Sequence, residues 1–185
     1  MKIILVPGNH NSRVDQIWFP YLINKLKEKN LQVIAKNMPD PMVARKKIWL
    51  PFMESELKAD ENTIGVGHSS GAIAWLRYAE THKLKGLILV GAYYTDLGDA
   101  TEKASGYFDA PWNWEQINSN VDFIVQFASI DDPYIPVAES RFLKTKLPKL
   151  EYIEFSDKGH MGEDVNLVEF PELLDAILTK ITKSK

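Results

Sequence analysis

Thr63–Ala74 reads T-I-G-V-G-H-S-S-G-A-I-A. An apolar run leads into Gly67-His68-Ser69-Ser70-Gly71, and a helix-favouring run follows. G-x-S-x-G between a strand and a helix is the pattern of a nucleophile elbow, a turn sharp enough to lift the Ser69 hydroxyl clear of the sheet edge. Gly67 and Gly71 suit it because side chains there would clash in a tight strand–helix crossing. The next helix begins beside Ser69, so its unpaired N–H groups and positive dipole end face any developing negative charge. A Gly/Ser cluster is also ordinary turn composition, so the reading depends on what surrounds it.

Working outward, strands and helices alternate. Lys2–Val6 is an apolar strand broken by Pro7-Gly8-Asn9. Val14–Lys29 carries a helical pattern, and Pro20 is tolerated only near a helix start, so the helix itself begins at Trp18 or Phe19. Leu31–Lys36 is a second strand, and a helix over Ala44–Leu57 contains Pro51, a place for a kink. Thr63–Gly67 is the third strand and Ser70–His82 the helix after it. Gly86–Ala92 is a uniformly apolar strand, as expected where both faces are covered, and Asp122–Ala128 is a fifth strand. A helix over Pro136–Leu147, a strand at Leu150–Phe155 and an amphipathic helix over Glu169–Thr182 close the chain. Residues 93–120 are too long for a plain connection and should carry short helices over one end of the sheet, a short cap.

This alternation predicts a three-layer αβα sandwich around a mostly parallel sheet of about six strands, with the first strand between the second and third. At 185 residues the length suits one domain over 1–185. Ligands in such sheets bind beyond the carboxyl ends of the strands, where the candidate residues collect.

A serine needs a base within hydrogen-bond reach. His10 and His68 precede Ser69, and His82 lies at the far end of the helix that follows it. His160 alone comes after every core strand, in the turn Ser156–His160. An acid to orient it should follow the fifth strand, and two compete there. Asp132 has the D-x-x-I-P spacing with Ile135-Pro136; Asp131 is one residue off and suits a role in holding the loop. Such an acid holds one imidazole tautomer and stabilises its cation. Oxyanion donors are expected from the amide of Ser70 and from the loop after the first strand, with Asn9 first and His10 second. His10, Tyr107, Phe108, Trp112 and Trp114 are candidates to line a pocket; for the tryptophans a core role is as natural.

Composition removes other chemistries. There is no cysteine, which excludes disulfides, thiolate nucleophiles and Cys metal sites. A net charge of −3 offers no basic footprint for nucleic acid. No apolar run approaches the ~20 residues that span a bilayer, and the N-terminal apolar run is too short for a signal peptide; a soluble, cytoplasmic protein is expected. Asp96, Asp99 and Glu102 read as solvated loop acids, no metal site has ligand spacing, and no phosphate loop is present, so no cofactor is expected.

These residues resemble the small serine hydrolases of the retinoblastoma-binding protein 9 type, grouped with the bacterial YdeN-like α/β-hydrolases. The likeness includes Val6–Asn9, Ala35–Pro41, Ile48–Glu54, Gly67–Ala74, Arg77–His82, Ala104–Phe108, Asp131–Pro133 and Gly159-His160. It implies an α/β-hydrolase fold and a Ser69, Asp132, His160 triad. It also implies esterase-like or aminopeptidase-like activity without naming a substrate. The family's best-known member carries L-x-C-x-E, linked to binding the retinoblastoma protein. Here the stretch is Leu57-Lys58-Ala59-Asp60-Glu61, and Ala59 in place of cysteine counts against that partner. The expectation is a monomeric hydrolase of a small carboxylic ester or amide acting through an acyl-serine. A non-catalytic binding module on the same fold and an acyltransferase are the competing readings.

Overall fold

The computed structural model describes residues 1–183. Six parallel strands form one sheet in the order β2-β1-β3-β4-β5-β6. They are β1 (Lys2–Val6), β2 (Gln32–Ala35), β3 (Thr63–His68), β4 (Leu84–Val90), β5 (Val121–Ser129) and β6 (Leu150–Phe155). Helices α1 (Phe19–Glu28) and α7 (Pro171–Lys183) cover one face. Helices α2 (Lys46–Ser55), α3 (Ser70–Ala79), α5 (Trp114–Ser119) and α6 (Val137–Lys146) cover the other, and the short α4 (Ala100–Ser105) follows β4.

The alternation of side chains sorts the sheet residues between the two layers. Ile3 and Leu5 of β1 join the α1/α7 layer; Ile4 and Val6 join the α3 layer. In β3 the same alternation sends Ile64 and Val66 to one face and leaves Gly65 and Gly67 on the other. That bare stripe is where α3 lies. A Cβ on Gly65 would stand 2.6 Å from the Trp75 ring, and one on Gly67 would stand 2.5 Å from the Ala72 nitrogen. Gly71, on the facing side of α3, abuts the carbonyls of Val6 and Pro7. Every residue of α3 is buried, because α2, α5 and the 107–112 loop wrap its outer side.

The expected elements are all present, with ends shifted by a few residues. Pro20 stands in the first turn of α1, where its missing N–H has no partner to lose, and Pro51 lies inside α2. A 3-10 turn at Glu163–Val165 was not expected. Among the described residues no helix is long and apolar enough to cross a membrane.

The chain leaves β1 toward one face through α1 and leaves β3 toward the other through α3. The loops after these adjacent strands therefore part, opening a crevice at their carboxyl ends. Gly65→Ala should overpack the Trp75 contact and lower stability by about 1–3 kcal/mol in urea unfolding. Gly71→Ala should do the same, since it drives a methyl into backbone rather than into a movable side chain.

Candidate active site

Ser69 occupies the turn between β3 and α3 with φ 54° and ψ −123°. This is sparsely populated backbone for a residue with a Cβ, and it persists only where surroundings hold it. Here the Ser69 N–H donates to Val90 O at 2.8 Å, tying the turn to the end of β4. The Gly8 loop runs close by: a Cβ there would sit 3.2 Å from Ser69 Cβ. The result is a half-buried hydroxyl-bearing residue at the floor of a cleft of about 610 Å³.

His160 enters this cleft from the loop after β6 and is buried. Its Nδ1 lies 2.7 Å from Asp132 Oδ2, on a side chain only 3% exposed. Asp132 Oδ1 accepts the N–H groups of Tyr134 and Ile135, both at 2.9 Å, so one oxygen is fixed by backbone while the other faces the imidazole. An Nδ1–H donated to Asp132 leaves Nε2 as the acceptor nitrogen. No hydrogen bond joins Ser69 Oγ to His160; such contacts commonly tighten only when substrate binds.

Asp131 does not touch the imidazole. Its Oδ1 accepts from Ser129 Oγ at 2.5 Å and from Gly159 N at 2.9 Å, and the Ser129 hydroxyl holds its carboxyl below the usual range. The loop that carries His160 is gripped at further points. Asp164 Oδ2 accepts from His160 N at 2.7 Å. Trp18 Nε1 donates to Met161 O at 2.9 Å, and His68 Nε2 donates to His160 O at 2.9 Å. His68 is buried, its ring 4.8 Å from that of His160, and burial followed by the neighbouring His160 charge pushes its pKa down to about 3.

The oxyanion candidates separate on geometry. The His10 amide donates to Met42 O at 3.2 Å and so is already engaged. The amides of Asn9 and Ser70 donate to no acceptor among the described residues; Ser70 follows Ser69 in the chain, and Asn9 lines the same cleft. His10 itself is exposed at the cleft rim.

Two expectations need correction. Tyr107, Phe108, Trp112 and Trp114 do not line the cleft. They pack on the outer side of α3 around Arg77, a buried cation that donates to the carbonyls of Tyr107 (2.7 Å), Ala110 (2.7 Å) and Pro111 (3.2 Å). Its guanidinium stacks 3.6 Å above the Trp112 ring, and Trp112 stacks on Trp114. The loop thus covers α3 instead of roofing Ser69. Glu102, read as solvated, is 7% exposed and accepts from Asn9 Nδ2 at 2.6 Å and Tyr93 Oη at 2.7 Å. Asp99 does behave as a loop acid, capping α4 through the N–H groups of Thr101 and Glu102.

His68, Trp18 and Asp164 escaped the sequence reading because nothing in their spacing links them to His160. Glu102 left one signal. Asp99 and Glu102 have the spacing of a capping box, which would return Glu102 to the Asp99 amide. That amide donates to Asp96 O at 2.8 Å, so Glu102 is available to turn inward. Among the described residues no three His, Asp or Glu side chains converge as a metal site would require.

Known proteins agree with this architecture. The structure of the ydeN gene product from B. subtilis superposes with a TM-score of 0.88 at 24% identity, covering 98% of this chain and 100% of that one. Mouse alpha/beta hydrolase domain-containing protein 10 superposes with a TM-score of 0.72 at 15% identity, covering 100% and 90%. The fold is that of the α/β-hydrolases. In sequence, the chain is 48% identical over 183 residues to serine hydrolase RBBP9 of Rattus norvegicus, covering 98% of this chain and 96% of that protein. A family model described as serine hydrolase matches residues 3–179, and the chain belongs to that family.

Burial of a neutral His68 has a measurable consequence. The unfolded chain takes up a proton near pH 6.5, whereas the folded His68 does so only near 3. The unfolded state therefore binds more protons in that window, and stability falls as pH drops through it. Urea unfolding at pH 7 and pH 5 should show a loss of about 2 kcal/mol assignable to His68, at ~1.4 kcal/mol per pH unit. His68→Gln should remove that part of the slope.

Proposed function

We propose that the protein hydrolyses a carboxylic ester or amide of a small substrate through an acyl-Ser69 intermediate. The observation that carries this reading is the 2.7 Å pair of His160 Nδ1 and buried Asp132, facing the same cleft as a serine in strained backbone. Membership of the serine hydrolase family supports it.

In this reading Ser69 Oγ attacks the substrate carbonyl carbon while His160 Nε2 takes its proton. The carbonyl oxygen becomes an oxyanion held by the amides of Asn9 and Ser70. The bond to the leaving group then breaks, and His160 returns the proton to the departing alcohol or amine. Water repeats the sequence on the acyl-enzyme and frees the acid. Asp132 keeps the imidazole in the tautomer that presents Nε2 and stabilises its cation. The engaged His10 amide leaves Asn9 as the donor from the β1 loop. The aromatic segment lies outside the cleft, so it gives no ground for expecting an apolar acyl group. The size of the cleft suits a small substrate.

A fluorophosphonate should label wild-type protein at Ser69 and fail to label Ser69→Ala or His160→Ala, read by peptide mapping. Labelling that persists elsewhere in Ser69→Ala would overturn the assignment. On an activated ester, Asp132→Asn should lower kcat by up to ~10⁴-fold with the fold intact. Asp131→Asn should act more weakly, through loosening of the His160 loop.

A further inference from the structure

Both candidate oxyanion donors belong to residues whose side chains meet at one buried carboxylate. Glu102 Oε1 accepts from Asn9 Nδ2 at 2.6 Å and from Ser70 Oγ at 3.4 Å. Glu102 Oε2 accepts from Tyr93 Oη at 2.7 Å, and Tyr93 Oη lies 3.1 Å from Ser70 Oγ, closing a ring of contacts. The four residues come from separate places in the fold. Asn9 follows β1, Ser70 opens α3, Tyr93 follows β4 and Glu102 sits on α4.

We infer that Glu102 is a positioning residue for the oxyanion site, setting the spacing and aim of the Asn9 and Ser70 amides by holding both side chains on one oxygen. The inference rests on the Ser69 reading above and adds to it a residue that does not touch substrate in the reaction. A displacement of Oε1 moves the β1 loop and the first turn of α3 together. A Cβ on Gly8 would stand 3.2 Å from Ser69 Cβ, so the loop that carries Asn9 runs close beside the nucleophile turn.

The chemistry of the partners makes the arrangement insensitive to the charge on Glu102. Asn9 Nδ2 can only donate, so Oε1 must present a lone pair in either state. A proton, when present, belongs on Oε2, toward Tyr93 Oη. Burial raises the carboxyl pKa, while the Tyr93 and Asn9 donors pull it back. Tyr93 is itself held neutral, first by burial and then by the Glu102 charge. A carboxylate beside a developing oxyanion would repel it; enclosing that charge in donors limits the penalty. Glu102 borders the cleft, but both of its oxygens are already engaged by Asn9, Ser70 and Tyr93, as a positioning role requires.

The test compares wild type with Glu102→Ala, Glu102→Gln and Tyr93→Phe, using p-nitrophenyl acetate and a boronic acid that forms a tetrahedral adduct on a serine. Glu102→Ala is expected to lower kcat by ~10–100-fold, part of the 10²–10³-fold that loss of a whole donor causes. KM should change little, and boronate affinity should fall with kcat. Glu102→Gln, whose amide oxygen can still accept from Asn9, should recover most of the loss. Tyr93→Phe should weaken boronate binding in the same direction by less, and serves if Glu102→Ala does not fold. Adding Asn9→Ala to Glu102→Ala should cause little further loss, because both act through one loop. A folded Glu102→Ala or Tyr93→Phe that keeps wild-type boronate affinity overturns the inference. So does a loss of activity carried by KM alone. A wild type that neither turns over the ester nor binds boronate would instead sink the Ser69 reading beneath it.

Discussion

Helix α3 lies closer to the sheet than side chains would allow, and the rest of the site depends on that approach. Gly65 and Gly67 clear one face of β3, Gly71 clears the facing turn of α3, and the Trp75 ring settles over Gly65. With helix and strand this close, the connecting residue has no room for relaxed backbone, and Ser69 takes φ 54°. Strain of this kind costs on the order of 1–3 kcal/mol and must be over-determined by neighbours. The hydrogen bond from Ser69 N–H to the Val90 carbonyl and the close helix–strand crossing at Gly67 and Gly71 supply that constraint. The same geometry leaves the Ser70 amide, at the helix start, with no intramolecular acceptor among the described residues and beside the hydroxyl.

Against this rigid floor the imidazole is carried by a loop, and loops need anchoring to present a side chain reproducibly. The His160 loop is held by donors and by acceptors. Trp18 and His68 reach its carbonyls from below, while Asp131 and Asp164 collect its amides from the sides. His68 is the residue that couples the two halves, since it stands in β3 next to Ser69 and holds the backbone of His160. Its burial as a neutral ring is the cost of that coupling, and it appears as acid sensitivity of the fold.

Two buried charged side chains organise the long segment between β4 and β5, one on the outer side of α3 and one at its N-terminal end. Arg77 draws the carbonyls of Tyr107, Ala110 and Pro111 onto the outer surface of the helix. Glu102 draws Asn9, Tyr93 and Ser70 together at its N-terminal end. Each group is satisfied by several partners, as an ion in a low-dielectric setting must be. The 107–114 part of the segment thereby braces α3, while Leu97, Asp99 and Glu102 from its earlier part line the cleft together with Tyr134 and Ile135.

Local pattern determined most of what the chain shows by itself. Apolar runs of strand length alternating with helical periods announced a parallel sheet covered on both faces, because a strand buried on two sides cannot alternate in polarity. The Gly-His-Ser-Ser-Gly turn announced the crossing, since only small residues admit it. The spacing of Asp132 to Ile135-Pro136 separated it from Asp131, and a turn after the last strand singled out His160. What the tertiary structure alone decided is which distant groups meet. The spacing between Arg77 and Trp112, Glu102 and Asn9, or His68 and the His160 carbonyl has no period that a helix or strand would impose. Tyr107 to Trp114 were legible as apolar and not as belonging to one side of α3, because a buried cation selected that side. Glu102 was legible as an acid in a loop and not as a buried one, because burial of a charge is decided by the donors that arrive from elsewhere in the fold.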